Sequence, residues 1–265
     1  MSAEQRFPFG APVRDCGVEM PGPVDTFILG AYPSALHVEW AAPNGVSIVA
    51  LAVDNEPSVF WDGHDAAQRV EEWKSAVRFD AAWGSVRASG NGSSGAWVND
   101  KILRPLEQAG SSSYFITDCL PTYRMSKGGQ DAIESRYHPF ANDNDLPRAV
   151  LATHPSEGQI VSETLNEQRD RLATQIAAAR PDRLVTLGDA AARVVAKMAD
   201  WGGTGKVSDG VYGEPRRIRV VDTEVSWYAL VHPAARGDWQ PAHQSWLETG
   251  GFSATGQSSA KPLPR

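Results

Sequence analysis

Phe27-Ile28-Leu29-Gly30-Ala31-Tyr32-Pro33-Ser34-Ala35-Leu36 and, far downstream, Tyr228-Ala229-Leu230-Val231-His232-Pro233-Ala234-Ala235-Arg236-Gly237 decide how this chain folds. Each is a short apolar run that stops at a rigid corner, Gly-x-x-Pro in the first and His-Pro in the second. Apolar runs of this length read as buried strands. In open α/β sheets, ligands sit in the crevice beyond the carboxyl ends of the strands. The two corners therefore read as two lips of one site.

The elements between them alternate. Thr26–Leu29, Tyr114–Thr117, Leu184–Leu187, Arg217–Val221 and Trp227–Val231 read as strands, with a more exposed pair at Ser47–Val53 and Ser58–Phe60. Ala66, Val70, Trp73 and Val77 predict a helix over 65–77 capped by Asp65. Further helices are predicted over 97–108, 162–179, 189–198 and 241–249. Pro105 weakens the second and Pro181 ends the third. Long crossovers between strands predict an α/β fold with a mainly parallel sheet covered by helices on both faces. The expected organisation is a flexible segment over 1–22, one α/β domain over 23–250 and a disordered tail over 251–265. Gly90–Gly95 reads as a flexible loop. The stretch 123–152, with Arg124, Lys127, Arg136 and His138, reads as a long loop, and such loops either carry function or decorate a family.

Composition narrows the class. The chain has 265 residues, 42% of them hydrophobic and 22% charged, as in a soluble globular protein. No apolar run of about 18 residues reads as a membrane span, and the first residues do not read as a signal peptide. Two cysteines, Cys16 and Cys119, argue against a disulfide framework or a cysteine-rich metal site, so a reducing cytoplasm is expected. A net charge of −7 disfavours a broad, non-specific grip on nucleic acid but leaves room for a local basic groove.

Four places hold candidate chemistry. Gly30–Ser34 makes a stiff loop whose amides can face a ligand, with Tyr32 either lining that pocket or packed in the core. It is neither a dinucleotide fingerprint nor a phosphate loop. His232 stands where a strand leaves the core, stiffened by Pro233, and a neutral imidazole there can donate to a developing anion. Asp118 ends a strand, either as a ligand-reading acceptor or as a cap. Asp189, after Leu187-Gly188, reads as a helix cap. His37 and Glu39 share one face of an extended segment, within reach of the site or on a solvated edge. No Gly-x-Ser-x-Gly elbow occurs, and the histidines lack metal-ligand spacing.

Gly30-Ala31-Tyr32-Pro33 resembles the Gly-x-x-Pro first motif of the uracil-DNA glycosylase superfamily, and His232-Pro233-Ala234-Ala235 is similar to its His-Pro-Ser second motif. Tyr114–Cys119 is similar to its strand ending in the base-reading residue, and Leu184–Gly188 with Ala190-Ala191 to its later strand and helix. The likeness spans about residues 24–248. It implies a three-layer α/β/α sandwich around a four-stranded, mainly parallel sheet. It implies hydrolysis of the N-glycosidic bond of a flipped base in DNA, uracil or a modified base of the cytosine type, without metal or other cofactor. Carried over by position, Gly30, Ala31, Tyr32, Pro33 and Ser34 would hold the base and the attacking water. His232 would stabilise the leaving base. The loop after Pro233 would enter the minor groove with Arg236 or Trp239 in the stack; Arg236, Arg124 and Lys127 are the candidate DNA-binding residues.

Two departures matter. The first motif lacks the Asp, Asn or Glu that many members use to position water. The base-reading position holds Asp118, where an amide suits uracil. An ionised carboxylate only accepts, which favours an exocyclic amine, and Asp118 is equally placed to activate water. The resulting expectation is a monomeric glycosylase of DNA repair or of defence against modified foreign DNA. The competing expectations are a non-catalytic nucleic-acid- or nucleotide-binding protein on this fold and a hydrolase of a free nucleoside or nucleotide.

Overall fold

The computed structural model describes residues 4–253. In chain order the strands are β1 (Thr26–Gly30), β2 (Ala35–Ala41), β3 (Ser47–Asn55), β4 (Ser85–Ala88), β5 (Tyr114–Asp118), β6 (Arg183–Leu187), β7 (Arg216–Val220) and β8 (Thr223–Leu230). The helices are α1 (Ala66–Val77), α2 (Ser93–Val98), α3 (Arg104–Gln108), α4 (Lys127–Ala132), α5 (His138–Asp143), α6 (Glu157–Glu163), α7 (Arg169–Ala179), α8 (Asp189–Met198) and α9 (Trp239–Glu248). The protein is an α/β protein with a mainly parallel five-stranded mixed sheet and a small antiparallel three-stranded sheet. None of the described helices is long and apolar enough to cross a membrane.

The described residues form two compact units. One comprises Gly17–Ala31, Trp97–Leu120 and the chain from Ser156 onward. It holds the five-stranded sheet, in the order β5-β1-β6-β8-β7. β5, β1, β6 and β8 are parallel, and β1 is buried along its whole length. A strand buried on both faces reads as an unbroken apolar run, which is why it is legible in the sequence. The sheet has five strands rather than the four expected. Val221 and Asp222 alone join β7 to β8, and a two-residue link permits only an antiparallel hairpin.

The other unit comprises the chain up to Cys16 with Tyr32–Ala96 and Pro121–Pro155. Its sheet runs β3-β2-β4. The expected partner of β3, Ser58–Phe60, is a turn, with Phe60 at φ 55°. β3 pairs instead with β2, and β2 with β4. The core centres on Phe9, whose ring lies 5.1 Å from those of Phe79 and Tyr137 and 5.7 Å from that of Trp73. Phe7 and Phe9, from the segment read as flexible, are thus part of a packed core, because an aromatic cluster needs no periodicity in its sequence. Most of the C-terminal segment read as a disordered tail lies outside the described residues.

Several local expectations change. The stretch read as a loop over 123–152 contains α4, a π turn at Ile133–Tyr137 and α5. Ser126 caps α4 by accepting the Gly129 N–H, and Ile133, Tyr137, Phe140 and Ala141 form the buried stripe. Pro139 hid this helix. A proline removes an i→i−4 bond, and the wider π turn before it absorbs the defect. Pro105 likewise follows a π turn, at Asn99–Leu103. The helix read from Trp97 starts at Ser93, inside the supposed flexible loop, and the Asn91 side chain of that loop bonds both the N–H and the C=O of His37. The helix read from Ser162 starts after Ser156, which forms a capping box with Gln159. Asp65 and Asp189 are not side-chain caps. Asp65 accepts from Trp61 and Arg69, and Asp189 from the Val207 N–H.

Candidate functional site

Four adjacent parallel strands place four of the singled-out positions along one edge. Gly30 ends β1 directly opposite Asp118, the last residue of β5. Leu187 of β6 lies opposite Leu230 of β8, so Gly188 and Val231-His232 leave the sheet side by side. The Gly188 N–H donates to the Leu230 carbonyl at 2.8 Å. Gly188 has φ 93°, and a Cβ there would lie 3.1 Å from that of His232. Glycine is therefore required both by backbone shape and by the approach of His232. At about 4.8 Å per strand, the edge from β5 to β8 spans roughly 14 Å, room for one nucleoside.

His232 is held in a defined state. Its Nδ1 accepts the Ala234 N–H at 3.1 Å, and its carbonyl accepts the Ala235 N–H. Burial pushes its pKa below the ordinary histidine value, so the neutral ring is favoured. With Nδ1 accepting, the neutral ring carries its proton on Nε2. Gln240 of α9 steadies the loop beyond, donating toward the Pro233 and Ala235 carbonyls.

Asp118 is 1% exposed. Its strand end is clamped by Arg171 of α7, whose guanidinium donates to the carbonyls of Asp118 and Cys119 and to the Thr117 hydroxyl. Burial, and then the Asp118 charge, push the Cys119 thiol far up, so this cysteine is inert. Arg171 escaped the sequence reading because a single arginine in a helix reads as a solvated face.

Tyr32, Pro33 and Ser34 belong to the other unit, where they have their own surroundings. The Tyr32 hydroxyl lies 2.6 Å from Nδ1 of His154. His154-Pro155-Ser156 is a second His-Pro pair that the sequence reading passed over. The Ser34 N–H donates to Glu56 at 2.9 Å. Glu56 also accepts the N–H groups of Phe60 and Trp61, yet burial pushes its pKa up to about 7. It is 6% exposed. Its only signal in the sequence was an acidic residue before Pro57 at the end of an apolar strand. A carboxylate that titrates near neutrality is suited to acid–base work.

The basic candidates belong to both units, each with its own surroundings. Lys127 is ion-paired with Asp131 at 2.7 Å, and Arg136 donates to the Ser47 carbonyl. Arg124 is half-buried and Arg236 exposed. Trp239 is half-buried, its ring 6.1 Å from that of Tyr212. Glu39 pairs with Arg87 across β2 and β4 at 2.6 Å, on the solvated side, whereas burial lowers the pKa of His37. No three His, Cys, Asp or Glu side chains among the described residues converge as metal ligands. No known family model matches this chain, and no curated protein is a recognisable relative of it.

Proposed function

We propose that this protein is a DNA glycosylase-like hydrolase that cleaves the N-glycosidic bond of a flipped uracil or modified, cytosine-type base. The fold proposed with it is a three-layer α/β/α sandwich centred on the four parallel strands. The state of His232 carries the reading. A neutral imidazole at the carboxyl edge of a parallel sheet, with Nδ1 already used as an acceptor, offers Nε2–H as a donor to negative charge on a departing base. An N-glycosidic bond breaks with its electron pair leaving on the base, so a fixed donor there lowers the barrier. Asp118 supplies a buried acceptor at the far end of the same edge, suited to an exocyclic amine. Gly30 brings bare backbone between them.

Within the other unit, the Ser34 amide donates to Glu56, whose carboxyl pKa is pushed by burial up to about 7. The resemblance of Gly30–Pro33 and His232–Ala235 to the glycosylase motifs points the same way. A role in repair, or in defence against modified foreign DNA, follows from the choice of base.

The test is formation of abasic sites on duplexes containing uracil, hypoxanthine or a modified cytosine. Activity on one of these, lost in His232→Ala with DNA binding retained, supports the proposal. Salt-dependent DNA binding with no abasic product from any base refutes it in favour of a binding protein.

A further inference from the structure

Behind His232 runs a chain of hydrogen bonds that can be read in one direction only. The Val231 N–H lies 3.2 Å from the Tyr212 hydroxyl oxygen, which must accept. The same hydroxyl lies 2.6 Å from Nδ1 of His243. It donates its own proton to Nδ1, because the proton of the neutral ring sits on the other nitrogen. The remaining ring nitrogen, Nε2, faces the Lys101 carbonyl at 3.2 Å and therefore carries the imidazole proton. An amide at one end and a carbonyl at the other fix every proton between them.

Each end has a reason in the sequence. In a regular helix the Lys101 carbonyl would accept from residue 105, but Pro105 has no N–H to give. His243 takes up that acceptor from α9. Tyr212 is 7% exposed and His243 1% exposed, and the rings of Trp97 and Trp246 lie 4.9 and 5.3 Å from that of His243. Gly213, at φ 71°, is the only residue type that leaves room for the Trp246 indole beside Tyr212. The same helix returns on the other side of His232, where Gln240, one turn before His243, is fixed by Trp97 at 2.9 Å and braces the Pro233 and Ala235 carbonyls. α9 thus grips the chain both before and after His232.

We propose that Tyr212 and His243 are positioning residues for His232, setting the strand end so that the Ala234 N–H reaches its Nδ1 and the ring proton stays on Nε2. The catalytic meaning of this rests on the glycosylase reading; the tautomer control does not. A buried, fully satisfied hydrogen-bond chain holds its members in one arrangement, and loss of one member frees the next. The burial that keeps His243 neutral fits its place in the chain.

The experiment is ¹⁵N imidazole spectroscopy of the full chain, with abasic-site formation measured alongside. In the wild type, His232 gives the signal of a neutral ring protonated on Nε2. Tyr212→Phe removes the acceptor for Val231; His232 then shifts toward a mixture of tautomers, and kcat falls 10- to 100-fold with KM nearly unchanged. Tyr137→Phe, in the other unit, removes two hydrogen bonds and leaves the His232 signal unmoved. If Tyr212→Phe does not yield folded protein, Gln240→Ala, which cuts the second brace, must shift the same signal. An unchanged His232 signal in the folded variant overturns the proposal. A shifted signal in a protein without activity on any base upholds the positioning and refutes the glycosylase reading.

Discussion

The hydroxyl of Tyr32 and Nδ1 of His154 are hydrogen-bonded at 2.6 Å across 122 residues of sequence, with the two rings edge to face at 5.5 Å. The bond ties the corner that follows β1 to the segment that precedes α6. It holds a phenol whose neighbours Pro33 and Ser34 are themselves fixed, the latter by Glu56. Tyr32→Phe is expected to cost only about 1 kcal/mol of stability, the usual net worth of one hydrogen bond. Abasic-site formation should fall at least tenfold (roughly 1.4 kcal/mol of barrier) if Tyr32 orients base or water. Chemical denaturation and single-turnover kinetics on the same preparation separate the two. A loss of stability with unaltered kinetics removes Tyr32 from the site.

Glu56 makes one unit's stability depend on pH in a stated direction. Its folded pKa, about 7, lies above the unfolded value of 4.5, so the folded state holds the proton more tightly. The contribution is therefore complete below pH 4.5 and is lost as pH rises through 7, up to about 3 kcal/mol. Glu56→Gln keeps an acceptor for Ser34 and cannot ionise. Urea melts at pH 5 and pH 8 should show the variant gaining on the wild type at the higher pH. Parallel melts at the two pH values would remove this account of Glu56.

His243 works in the opposite sense. Burial lowers its pKa from 6.5 to about 4, so the unfolded chain binds the proton first. Stability from this group is complete above pH 6.5 and declines as pH falls toward 4, again by up to about 3 kcal/mol. His243→Phe should abolish this acid-side decline while lowering stability at pH 7, since Tyr212 and the Lys101 carbonyl lose their partner. Melts between pH 4 and 7 report both effects.

Under the glycosylase proposal, Asp118 carries the question of which base is excised. An ionised carboxylate accepts and does not donate, so in that state the wild type should prefer bases with an exocyclic amine. Asp118→Asn offers both a donor and an acceptor and should shift the preference toward uracil by 10- to 100-fold in kcat/KM. Competition assays with mixed duplexes measure the ratio directly. An unchanged ratio assigns Asp118 no part in reading the base.

Phe9 tests the aromatic core. It is 5% exposed and ringed by Trp40, Trp73, Phe79, Trp83 and Tyr137. Phe9→Ala should cost about 3–5 kcal/mol, visible as an earlier denaturation midpoint. A cost below about 1 kcal/mol would show that the segment before Gly17 is dispensable to the core.

By itself the sequence determined the strands of the parallel sheet and the order in which they are met. β1 is buried along its whole length, β6 and the second half of β8 nearly so, and burial on both faces demands largely apolar runs there. It also located the corners at Gly30 and His232, because glycine and proline constrain the backbone locally. Only the tertiary structure decided what depends on distant partners. α4 and α5 were hidden by Gly128, Gly129 and Pro139, whose local cost is met by a π turn and a buried stripe. Glu56, His154, Arg171, Tyr212 and His243 carry no pattern of their own. Each acquires its meaning from a backbone group or ring brought to it by the fold, and a hydrogen bond depends on that geometry alone, whatever the separation in sequence.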